Sequence, residues 1–140
     1  MKNTILIALA VLMLTASWGH AWAPWKDDKG ADKKQVEKIF RKARAAYGSA
    51  DYSSTVKYCD DAIKADPKFA GAYALRGKAK KDMGDVEAAT RDLNKAVELD
   101  PTLAEAYYIR GQVHEIMGEM KEAQVEFKKA CGAGYTDACK

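Results

Sequence analysis

The chain writes one passage twice with an offset of thirty-four residues: Tyr73 returns as Tyr107, Arg76-Gly77 as Arg110-Gly111, Met83-Gly84 as Met117-Gly118, Ala89 as Ala123, and Lys95-Ala96 as Lys129-Ala130. Asp66-Pro67 likewise returns as Asp100-Pro101. A period in this range belongs to chains built from small supersecondary units. No unit can bury its apolar face alone, so each stacks on its neighbours. Function is then expected on a surface shared by several units, not in a catalytic cleft.

The N-terminal segment stands outside the repeat. Lys2 followed by the apolar run Ile5 to Leu14 and the small-residue and aromatic stretch Ala16 to Ala23 reads as a secretory signal peptide covering residues 1–23. The run is too short to span a bilayer as a helix, and no cysteine follows it to accept a lipid. Cleavage after Ala23 would place Pro24 at the new terminus, which is awkward for signal peptidases, so cleavage after Ala21 remains open, as does an uncleaved anchor. The expected location is periplasmic or secreted. Losing Lys2 lowers the net charge from +3 to +2, too mild to imply nucleic acid or an anionic membrane as partner. Roughly 118 residues remain, enough for one domain with a modest core.

Residues 24–34 read as a polar leader, and 35–140 as helical throughout. Asp32 with Gln35 forms a plausible capping box at the first helix. Val36, Ile39, Phe40, Ala43 and Ala46-Tyr47 make one amphipathic stripe; Tyr52, Val56, Cys59, Ala62 and Ile63 make the next. Nothing alternates with period two, so the fold class is all-α. Gly84-Asp85 and Gly118-Glu119 stand where the first helix of a pair must stop, the glycine supplying a left-handed cap. Asp66-Pro67 and Asp100-Pro101 end the second helix, because proline disfavours helical geometry in the residue before it.

In these features the sequence resembles the tetratricopeptide repeat (TPR) family. The residues that carry the resemblance are Tyr73, Gly77, Gly84-Asp85, Ala89, Leu93, Ala96 and Asp100-Pro101, spaced as that family spaces them. It implies three stacked helix-turn-helix units, 36–69, 70–103 and 104–137, forming a short right-handed solenoid. Two departures are visible. The first unit has Ala50 in place of the turn glycine, with Gly48 two residues earlier and Thr55 where a small alanine packs, so its first helix is expected to end early or turn differently. The third lacks the closing Asp-Pro and ends in Cys131-Gly132-Ala133-Gly134 and a short stub, where the family usually carries a polar capping helix.

Cys131 and Cys139 are natural partners in an exported protein, and their setting resembles the paired cysteines of Sel1-like repeats, which implies a bridge that staples the stub in place of the missing cap. Free thiols or a metal site are the alternatives, although zinc would need more ligands than this region offers. Cys59 falls on a core position and is expected to be a buried, inert thiol. Outside the signal segment the chain has one histidine, His114, with no haem-attachment motif, phosphate loop or nucleophile elbow. No cofactor, metal or enzymatic activity is expected.

The TPR resemblance places the working face on the first helix of each unit. The residues expected there are Glu37, Arg41 and Arg44, then Lys78 and Lys81, then Tyr108, Ile109, Gln112 and Glu115. Of these, Arg41, Arg44, Lys78, Lys81, Tyr108, Ile109 and Gln112 are the candidate partner-binding residues: a basic strip beside an apolar patch, suited to a peptide with acids at one end and apolar side chains at the other. The clamp with which TPR co-chaperones grip a C-terminal carboxylate is missing, because its positions hold Phe40, Arg44, Glu105 and Ile109. The reading is an exported, non-enzymatic module for a protein or peptide partner, the alternative a structural repeat that stacks into a homo-oligomer.

Overall fold

The structure is a computed structural model that describes residues 29–140. The signal peptide expected at 1–23 and the leader up to residue 28 lie outside the described residues. Six α-helices follow one another among the described residues: α1 (Lys29–Gly48), α2 (Tyr52–Ala65), α3 (Ala70–Asp82), α4 (Val86–Leu99), α5 (Ala104–Ile116) and α6 (Met120–Gly132), with a 3-10 turn at Thr136–Cys139. Helix α1 is already under way at Lys29, so residues 29–34 belong to it and not to a leader. Asp32 lies inside that helix and does not open it.

The helices pair as α1–α2, α3–α4 and α5–α6, and each pair packs on the next through α2–α3 and α4–α5. Contacts also join α1 to α3 and α3 to α5. First helices of neighbouring units thus touch while second helices stand further apart, and the stack curves with its concave side on α1, α3 and α5.

The turns explain the period. Gly84 and Gly118 adopt φ of +86° and +79°, and the next residue's N–H reaches back to Lys80 or His114, closing the helix end in the left-handed motif that glycine favours. Against expectation, the first unit turns in the same way. Helix α1 stops at Gly48, thirty-four residues before Asp82 where α3 stops, and Ala50 takes the turn position with φ of +56°. Asp51 N–H donates to Ala46 at 3.0 Å, as Asp85 N–H does to Lys80 at 2.9 Å. The aspartates then cap the next helices, Asp51 accepting from Ser54 N–H and Asp85 from Ala88 N–H, each at 3.0 Å. Thr55 fits the alanine position because its hydroxyl donates to the Asp51 carbonyl at 2.8 Å, so nothing polar is left unmet in a fully buried site.

Close helix crossings require the small residues. A Cβ on Gly77 would lie 2.9 Å from Leu93 Cγ and 3.2 Å from the Ala89 carbonyl oxygen; on Gly111 it would lie 2.5 Å from the Phe127 ring. Ala43, the first unit's counterpart, is fully buried with Cys59 and Leu75. Between the second and third units the core is Ala89, Leu93, Ile109 and Val113.

A buried ionic ladder adds register to this core. Arg76 donates to Asp92 through Nε at 2.8 Å and Nη2 at 2.5 Å, and to Asp60 of the preceding unit through Nη1 at 2.6 Å. One repeat later Arg110 does the same with Glu126 (Nε, 2.8 Å) and Asn94 (Nη1, 3.0 Å). Lys80 and Lys129 also donate to those acids, at 2.8 and 2.9 Å. Asp92 and Glu126 are only 5% and 6% exposed, so each arginine satisfies a carboxylate that burial would otherwise penalise. The two acids hold Arg76 in its charged form, raising its pKa against the opposing effect of burial.

The chain closes as its cysteines suggest. Cys131 and Cys139 are bonded, and Cys59 is free and buried. Burial pushes the Cys59 thiol up to about 12, the condition of an inert core residue. Helix α6 runs to Gly132, and Gly134, with φ of +95°, turns the backbone into the stub.

Candidate functional site

Stacking decides which first-helix residues reach the concave face. The second, fifth and ninth positions of a unit do so: Phe40, Arg44, Gly71, Ala74, Lys78 and Glu105 line a cleft of about 370 Å³, with Tyr47 and Leu103 completing its walls. Gly71 and Ala74 are the reason for its depth, for in the middle unit they leave a notch between Phe40 and Leu103. The floor is apolar and the rim charged.

The sixth position is turned into the stack, although Leu75 still borders the cleft. Leu75 and Ile109 occupy it in the second and third units and are 9% and 1% exposed, packed against the preceding unit's second helix. Ile109 is therefore core, not groove. Arg41 holds the same position in the first unit, so it faces the N-terminal end of the stack together with Lys38, which replaces the buried Ala72. With Lys34 and Arg44, these residues make a basic depression formed by α1 alone.

The expected basic strip is also interrupted. Lys78 Nζ lies 3.0 Å from Glu105 Oε1 and 4.9 Å from the centre of the Tyr47 ring. Lys81 Nζ lies 3.1 Å from Asp82 Oδ1 and donates to Gln112 Oε1 at 2.9 Å. Both lysines thus have partners within the fold, and Gln112 is one of them. Tyr47 donates its hydroxyl to Asp82, and burial followed by that bond raises its pKa, leaving it a neutral donor and an apolar wall. With Arg41 turned to the end of the stack, Arg44 alone of the other three expected cations is exposed, and it pairs with no acid among the described residues. It borders both the cleft and the basic depression on α1.

Tyr108 is on the concave face but not free. Its ring is stacked on Tyr135 of the stub, centroids 4.6 Å apart, and tilted against Phe127 at 5.5 Å. The expectation of an exposed anchor is corrected: half of that ring is already covered from within the chain. Phe40, Tyr47, Gly71, Glu105 and Tyr135 are the site residues that sequence reasoning did not assign. For the first four the signal was the period itself, since their positions follow from those of Arg44 and Lys78. Among the described residues no three His, Cys, Asp or Glu side chains stand where they could hold a metal ion, and no helix is long and apolar enough to cross a membrane.

The helical pairs, their glycine turns and a groove lined by first helices define an α-solenoid repeat protein. The family model of the TPR repeat matches residues 77–118, and that of the tetratricopeptide repeat matches residues 104–133. No curated protein gives a match. Among solved structures, the TPR domain of Arabidopsis OM64 is similar, with 27% identity and a TM-score of 0.70 over 75% of this chain and 87% of that one. The TPR2B domain of yeast Sti1, in its complex with pHsp70, gives 24% identity and a TM-score of 0.68 over 71% and 80%. The first TPR of Spaghetti (RPAP3), bound to the HSP90 peptide SRMEEVD, gives 19% and 0.68 over 72% and 80%. The repeats of this chain are tetratricopeptide repeats, matched over residues 77–133 and carried on a TPR fold.

Proposed function

We propose that the protein is an exported adaptor, without chemistry of its own, that binds an extended peptide segment of a partner protein in the cleft between α1, α3 and α5. The observation that carries this reading is Arg44, exposed and with no ion pair among the described residues, on the rim of a cleft floored by Gly71 and Ala74. A partner would place an apolar side chain in the notch and a carboxylate against Arg44. Glu105 at the far rim would repel a second acid, so the segment is expected to carry its charge at one end only. Two of the structural neighbours were solved with a chaperone partner on the same kind of fold, which supports peptide recognition as the use of the groove. The signal-like N-terminus supports export, and so does the Cys131–Cys139 bond, since disulfides persist in oxidising compartments.

Self-assembly by end-to-end stacking has less support. Lys38 and Arg41 occupy at the N-terminal end the positions that Ala72 and Leu75 use to accept a preceding unit. A second copy docking there would bury two cations against an apolar face. The test is capture from an envelope extract on immobilised parent and on Arg44→Glu, with light scattering of the free protein. A monomer whose captured partner is lost in the variant supports the adaptor reading. A concentration-dependent oligomer, or capture indifferent to Arg44, overturns it.

A further inference from the structure

The third unit's share of the groove is already occupied. Tyr108 lies one period beyond Ala74, which lines the cleft, and Tyr135 covers it at 4.6 Å with the ring planes 26° apart. The Tyr135 hydroxyl lies in the field of Glu105 and Lys78, both cleft residues, and its pKa is raised, first by burial and then by Glu105. Tyr135 therefore sits on the concave side, beside the notch.

Little else holds the segment that carries this ring. No residue of Thr136–Cys139 is buried. Its near end is fixed by Gly134 and by Tyr135 N–H donating to the Ala130 carbonyl at 2.9 Å; its far end is tied back by the Cys131–Cys139 bond. An aromatic ring tethered onto an aromatic platform, with no core of its own, has the form of an intramolecular ligand. The tether sets a high local concentration, so the ring stays on the platform by proximity and not by buried area.

We infer that Tyr108 and Phe127 form an aromatic-recognition subsite at the end of the groove, filled in the free protein by the chain's own Tyr135, and that the partner segment displaces Tyr135 with an aromatic side chain of its own. This rests on the groove reading and extends it: beyond the acid and the notch residue, the peptide carries a third determinant, a tyrosine, phenylalanine or tryptophan on the side away from its acid. Displacement weakens apparent affinity by the fraction of time the platform is closed, so a platform closed about nine-tenths of the time costs about tenfold.

The probe is N-acetyl-tyrosinamide, titrated into the oxidised parent, Tyr135→Ala and Cys131→Ser/Cys139→Ser while the aromatic ring resonances are followed by NMR. Tyr135→Ala is expected to shift the Tyr108 and Phe127 resonances at about tenfold lower probe concentration than the parent. The double serine variant, which keeps the tyrosine but loses the staple, is expected to fall between them. Tyr135→Phe should behave as the parent. If the platform rings of Tyr135→Ala ignore the probe, or respond at the parent's concentration, Tyr135 is a structural cap and the subsite does not exist. Should Tyr135→Ala fail to fold, the double serine variant decides alone: a response equal to the parent's overturns the inference. Acidic peptides are read separately at Phe40 and Tyr47, so a failed cleft and a failed subsite give different spectra.

Discussion

Ala50 should be the one position in the stack where adding nothing but freedom stabilises the protein. Its φ of +56° is the geometry of Gly84 and Gly118, and an L-residue pays about 1 to 2 kcal/mol there because its Cβ approaches the following carbonyl. Replacing it by glycine removes that cost but gives back about 0.5 to 1 kcal/mol through the greater freedom of glycine in the unfolded chain. Ala50→Gly is therefore expected to stabilise by about 0.5 to 1 kcal/mol, raising Tm by about 2 to 4 °C for a domain of this size. The mirror variant sharpens the test. A Cβ at Gly84 would meet nothing within 4 Å, so Gly84→Ala should destabilise by about the same amount through backbone strain alone. Urea unfolding is the assay, with the midpoints moving in opposite directions and the slope unchanged. If Ala50→Gly lowers the midpoint, or Gly84→Ala leaves it fixed, the three turns are not equivalent and the shared-period account of the fold is wrong.

Gly77→Ala should cost about 1 to 3 kcal/mol, and more than Gly111→Ala, although the latter makes the shorter contact, because Gly77 meets the Ala89 backbone while the nearest atoms to Gly111 all belong to the half-buried Phe127 ring; equal midpoints would show that both crossings relax alike. Arg76→Met should destabilise by about 3 kcal/mol by leaving Asp92 to Lys80 alone, and Asp92→Leu in the same chain should recover part of it; a neutral Arg76→Met would remove the ladder from the list of what holds the units in register. Cys59, with its thiol pushed up to about 12, should resist iodoacetamide in the native protein at pH 8 and react once unfolded; because only the thiolate reacts, raising the pH toward 12 should speed labelling. Labelling at the rate of a free thiol at pH 8 would place it outside the core.

Much of this architecture was legible from the period alone. The turn glycines and the Asp-Pro stops act within a few residues of themselves, so spacing is enough to read them; the close crossings at Gly77 and Gly111 recur with the repeat, and the paired cysteines were read from their Sel1-like setting. Ala50 was misread because sequence favours glycine at the turn, whereas the fold imposed the turn on alanine through the hydrogen bonds around it. The groove was less legible because its chemistry is made between units. Nothing local says that Lys78 reaches Glu105, twenty-seven residues on, or that Lys81 reaches Gln112, so both looked free. Arg41 and Ile109 were misplaced together, since a turn of a few tens of degrees around a helix separates a concave residue from a stacking one. The cover that Tyr135 places on Tyr108 depends on how a glycine-rich stub folds back, which no periodicity encodes.

The most direct test of the groove is an unbiased peptide display selection on the oxidised protein, followed by affinity measurements on parent and Arg44→Glu. The selected peptides should share an acidic residue near an apolar one, and Arg44→Glu should weaken them about tenfold, or about 1.4 kcal/mol, with less dependence on salt. Melting temperature should be unchanged, because Arg44 is exposed and makes no ion pair among the described residues. Selected peptides without acidic residues, or binding that survives Arg44→Glu intact, would contradict the assignment of the concave cleft as the partner site.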